Sequence, residues 1–152
     1  MSGPPLDSSA EERRLRLVYV AAANRQEARR LGEGAVERRL AACASYWPIR
    51  SVYWWKGAME RSPEQAVLLK TSGKKLGALF RFLVREHSYE VPDILELKVP
   101  RAHEPYIRWL LESIDPETAL VAAPARARRP AGPRARAGQG LRRTRAPRPR
   151  PY

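Results

Sequence analysis

Cysteine is nearly missing from this 152-residue chain, which has one, Cys43. A single thiol excludes an intramolecular disulfide and a four-thiolate zinc site, and it suits a reducing compartment. A cytoplasmic location is therefore expected. Long apolar runs are missing too. Runs such as residues 17–23 fall far short of the ~20 residues that span a bilayer, so no membrane partner is expected. The first dozen residues carry Asp7, Glu11 and Glu12 and lack a basic start followed by an apolar stretch, so a secretory leader is not expected. Acid is missing from residues 122–152, which hold ten arginines and no Asp or Glu, whereas residues 1–121 hold 19 Lys and Arg against 16 Asp and Glu. The net charge of +13 thus sits mostly in the C-terminal tail.

That tail has six prolines and a single large aliphatic residue, Leu141. It cannot bury enough surface to offset its ordering entropy, so it reads as disordered. Its arginines suit salt-dependent, sequence-blind contact with a polyanion. Only Tyr152 offers a ring for base stacking. No nucleic-acid partner is expected beyond such non-specific contact, and an unselected extension of a GC-rich gene would have the same composition. The expected division is a disordered leader over 1–13, one folded domain over 14–117, and a disordered tail over 118–152.

Within the domain, residues 15–23 alternate at first and then run apolar, as a central strand does. Asn24 is a favoured N-cap, and Glu27 three residues on gives a capping-box-like start to a helix whose Ala28, Leu31, Ala35 and Val36 share one face. Residues 41–55 read as a strand in which Pro48 marks a bulge or an edge. Lys56-Gly57 is a turn signal, and the returning strand is clearest over 65–71, so the two form a long hairpin. A second helix over about 72–87 carries the stripe Leu76, Leu79, Phe80, Leu83 and Val84. Residues 94–99 alternate as a strand, and a short helix follows Pro105. The order β-α-β-β-α-β plus a terminal helix predicts an α+β, ferredoxin-like fold. It has an antiparallel sheet, both main helices on one face, a long hairpin between the second and third strands, and a short C-terminal helix.

Several motifs sit on that frame. Arg39-Leu40-Ala41-Ala42-Cys43, Ser51-Val52-Tyr53-Trp54-Trp55-Lys56-Gly57, Val67-Leu68-Leu69-Lys70-Thr71, His87-Ser88-Tyr89-Glu90-Val91-Pro92 and Pro105-Tyr106-Ile107-Arg108-Trp109 occur in this order. Together they resemble the signatures of the CutA family of divalent-cation tolerance proteins, over residues 16–114. The resemblance implies a ferredoxin-like subunit that assembles into a compact homotrimer, with similarity to the nitrogen-regulatory PII proteins. It also implies a link to divalent-cation tolerance and copper binding, and no established enzymatic reaction. Ser88 stands where the family has a proline, and the segment after Pro48 is one residue short. The copper site of bacterial members uses a cysteine ending the first strand and two adjacent histidines ending the second helix. The matching positions here are Val20, Glu86 and His87.

The candidate metal ligands are therefore His87, Glu86 and Glu90, for copper or another divalent cation, with no cofactor required. His87 also reads, and more simply, as a packed, hydrogen-bonded histidine at a helix C-terminus, where the dipole favours its charged form. Glu86 and His87 point about 100° apart on the helix, so a loop or another subunit would have to complete a site. Tyr89 and Glu90 lie on a loop that in the family lines an inter-subunit cleft. Cys43 reads as a small buried hydrophobe or a soft-metal ligand. Tyr53, Trp54 and Trp55 are the candidate trimer interface, because a long hairpin overhanging a small sheet cannot bury both faces in its own subunit. No Ser/His/Asp constellation or carboxylate pair stands out, so no enzyme is expected. The alternative is a PII-like small-molecule sensor or trimeric scaffold without metal, although no Gly-rich phosphate loop is present.

Overall fold

The computed structural model describes residues 8–117. Its elements run α1 (Ser8–Arg13), β1 (Leu15–Ala22), α2 (Arg25–Glu37), β2 (Cys43–Trp55), β3 (Ala58–Ser72), α3 (Gly73–Glu86), β4 (Ile94–Lys98) and α4 (Glu104–Ile114). The four strands form one sheet of order β2-β3-β1-β4, antiparallel at every junction. Apart from α1, this is the predicted ferredoxin-like order. The tail, and residues 1–7 of the expected leader, lie outside the described residues. Residues 8–13 of that leader differ from the expectation of disorder. They form α1, because Glu11 bonds the buried Arg16 at 2.6 Å and the Gly73 amide donates to the Arg14 carbonyl.

Strand alternation sorts the side chains onto two faces. Val18, Val20 and Ala22 of β1, with Val67 and Leu69 of β3, form one core with Ala28, Leu31 and Ala35 of α2 and Leu79, Phe82 and Leu83 of α3. Both main helices therefore cover the same face. Gly32 and Gly34 admit close approach there: a Cβ at Gly34 would meet the Phe82 ring at 2.9 Å. On the other face, α4 seals only one end, where Leu110 and Ile114 bury Leu15. The rest of that face is open, with Leu95 at 52% and Leu97 at 45% exposure.

The hairpin extends beyond the sheet. β3 pairs with β1 only over Gln65–Ser72, while residues 58–64 pair with β2 alone. The β2–β3 register runs from Cys43↔Lys70 to Trp55↔Ala58 without a slip. Pro48 thus marks an edge strand and no bulge, since its missing amide costs nothing on the unpaired side. Lys56 (φ 47°) and Gly57 (φ 81°) close the ribbon in the left-handed geometry of a two-residue type I′ turn.

Candidate functional site

The overhanging hairpin and the loop between α3 and β4 enclose a cavity of about 740 Å³. Its walls include Tyr53, Trp54 and Trp55 from β2, Glu64 from β3, and Ser88, Tyr89, Glu90 and Asp93 from the loop. The loop is fixed by a buried polar network. At the start of α2, Asn24 Oδ1 accepts from the Glu27 amide at 2.9 Å, as its N-cap position predicts. The Glu27 side chain does not return to the Asn24 amide. Its Oε2 accepts from the Ala23 amide at 2.8 Å, and its Oε1 reaches across to the Ser88 amide at 2.7 Å. Burial alone would raise the Glu27 pKa. The hydrogen bonds from Ala23 and Ser88 outweigh it and hold the carboxyl below its ordinary range.

His87 is the C-cap of α3, and its side chain is fully buried. Nε2 lies 2.8 Å from the Ala21 carbonyl and so donates; Nδ1 accepts from the Tyr89 amide at 3.0 Å. This arrangement suits the neutral ring, in place of the dipole-favoured charged form expected from sequence. Tyr89 stacks against His87 at 4.9 Å and donates its hydroxyl to Glu64 Oε1 at 2.7 Å. Burial, followed by that hydrogen bond and the charge of Glu64, pushes the Tyr89 hydroxyl well above its ordinary pKa. Asp93 Oδ1 accepts from the Ala21 amide at 2.9 Å, pinning the loop's far end to β1.

The three candidate metal ligands occupy this region but do not converge. His87 has both ring nitrogens committed. Glu86 faces Arg85 and Arg30, at 3.1 and 3.5 Å. Glu90 lies at the surface, 3.9 Å from Lys56. Among the described residues no group of three His, Cys, Asp or Glu side chains is placed to hold a metal ion. The matching third position, Val20, is a fully buried core residue. The donors within one protomer therefore do not fit copper. Cys43 is half-buried, and its sulfur accepts from Lys70 Nζ at 3.4 Å.

Tyr53 and Trp55 do fall on one side of the ribbon and Trp54 on the other, as alternation predicts. Trp54 is 74% exposed. Sequence reasoning passed over Glu64 and Asp93 and read Glu27 only as a cap. A carboxylate beside the apolar run of residues 66–69 was the available signal for Glu64.

A family model described as "CutA1 divalent ion tolerance protein" matches residues 16–113. The divalent-cation tolerance protein CutA of Thermotoga maritima is 40% identical over 98 residues, which are 64% of this chain and 97% of that protein. The protein CutA homolog of Xenopus laevis is 36% identical over 97 residues, 63% of this chain and 64% of that protein. The solved structure of CutA from Synechococcus elongatus superposes with a TM-score of 0.65 at 38% identity, covering 68% of this chain and 93% of that one.

Proposed function

This chain belongs to the CutA1 family of divalent ion tolerance proteins, and from that premise we propose that it serves the response to divalent metal ions as a non-catalytic homotrimer. The observation that carries the assembly is the unfinished burial of the protomer. One sheet face keeps Leu95 and Leu97 half exposed, and the hairpin presents Trp54 at 74%, Trp55 at 37% and Tyr53 at 39%. An apolar patch of this kind marks a protein contact. A second copy offers the same chemistry, and closed rings of identical subunits are the usual solution. Multi-angle light scattering behind gel filtration tests this directly. Three protomer masses at micromolar concentration is the expected result, and a clean monomer would overturn it.

The link to metal ions rests on family membership. We derive no step through copper, because His87 offers no free lone pair and Val20 offers none at all. Glu90 and Glu86 have exposed oxygens that a neighbouring protomer could complement. Titration calorimetry with Cu(II) and Zn(II) on the assembled protein separates the cases. Weak binding that is unchanged in His87→Asn is expected. Tight, stoichiometric binding abolished by that change would restore His87 as a ligand.

A second reading, a PII-like small-molecule sensor without metal, is favoured by the cavity beside the hairpin. Its volume and its mixed aromatic and acidic lining suit an organic ligand.

A further inference from the structure

The cavity between hairpin and loop has a lining of one charge sign. Glu64, Glu90 and Asp93 contribute carboxylates, Tyr53, Trp55 and Tyr89 contribute rings, and no Lys, Arg or His lines it. Glu64 is the unusual member. It is 6% exposed, and its one hydrogen bond among the described residues comes from the Tyr89 hydroxyl. No Lys or Arg of the described residues lies within ion-pair distance of it, whereas the buried Glu27 has Arg30 at 3.3 Å. A buried carboxylate without a cation is costly unless something pairs with it. The rim already holds an ammonium group. Lys56 Nζ sits 5.4 Å from the Trp55 ring centroid and 3.9 Å from Glu90 Oε2, in both the cation–π and the ion-pair sense.

We propose that this cavity binds a small organic ammonium ion, its charged head at Glu64 and its apolar stem against the rings of Tyr53 and Trp55, which share the Glu64 side of the ribbon. An anion would meet three carboxylates inside and only Lys56, already paired with Glu90, at the rim. A bare divalent metal demands several converging oxygens, which the site does not assemble. An alkylammonium satisfies both halves of the lining at once: its N–H groups suit Glu64, and its methylenes and charge suit the rings. Lys56, at the tip of the hairpin, competes for Trp55 and Glu90 at the mouth. The inference needs no metal.

The test uses the full chain, with light scattering on the same samples so that loss of assembly and loss of binding are read separately. The probe is 1,5-diaminopentane, followed by calorimetry and tryptophan fluorescence at fixed ionic strength. The neutral isostere 1,5-pentanediol and magnesium chloride are the controls. Saturable binding of the diamine alone is expected. Glu64→Gln keeps an acceptor for Tyr89 but removes the charge, and should weaken binding about tenfold or more. Lys56→Asn removes the competing ammonium and suits the type I′ turn, so it should tighten binding about two- to fivefold. This second variant keeps the proposal testable if Glu64→Gln folds poorly. No saturable binding at millimolar diamine, equal binding of the diol, displacement by magnesium, or indifference to both substitutions would each overturn it.

Discussion

Glu27 shows how one side chain serves two elements. Its oxygens satisfy the Ala23 amide at the start of α2 and the Ser88 amide beyond α3, so both sides of the cavity depend on it. Removing it leaves two part-buried donors unmet. Glu27→Ala should cost roughly 2–3 kcal/mol, read as a lower urea midpoint at pH 7. The pH dependence follows from the lowered carboxyl. Its contribution is fully present above the ordinary value of 4.5 and is lost as pH falls through the depressed folded value. Glu27→Gln should therefore flatten the acid limb of the stability profile, and an unchanged limb would show that the carboxylate charge is not used. None of this long-range wiring could be read from spacing. The sequence marks Asn24 and Glu27 as a cap, and the Asn24 half is what forms. The partner at Ser88, 61 residues away, is visible only once α3 has folded back. His87 was legible as a packed histidine at a helix C-terminus, but its tautomer was not, for the same reason: the Ala21 carbonyl that fixes it belongs to β1.

At the scale of elements, apolar patterning and turn signals located every strand and the three longer helices. The short helix α1 was not legible. A six-residue helix has no internal cooperativity and exists here through tertiary contact. That contact is tight at Gly73, where a Cβ would overlap the Glu11 carbonyl. Gly73→Ala should release α1 while leaving the sheet intact, seen as loss of amide protection confined to residues 8–14. Equal protection in the variant would mean that the close approach is relieved elsewhere. The hairpin turn is the opposite case, fully legible from Lys56-Gly57. Gly57 sits at φ 81°, so Gly57→Ala forces a Cβ into the left-handed region and should cost about 1–2 kcal/mol. Exchange should quicken along residues 50–64 and not in β1. The Lys56–Glu90 pair adds little by itself, since both side chains are more than 70% exposed.

The whole molecule is a half-finished sandwich. Two helices close one face of the sheet, α4 closes a corner of the other, and the remainder waits for a surface of like character. Sequence could foresee the excess of aromatic area but not which of two faces α4 would leave open. That depends on where the chain turns after Val99. Leu97 decides the matter experimentally. It pairs with Leu17 on the open face and is 45% exposed, so the protomer tolerates a charge there with little strain. In a trimer that buries this face the same charge loses its water with no partner, at several kcal/mol per subunit. Leu97→Glu should therefore retain its circular dichroism and its thermal transition yet elute as a monomer at micromolar concentration. The neighbouring change Glu96→Gln, on the helix-covered side of the same strand, should leave the assembly state alone. A Leu97→Glu protein that still scatters as a trimer would move the joint off this face and onto the hairpin alone. Trp54→Ala, which removes the most exposed ring of that hairpin, would then become the variant that separates the subunits.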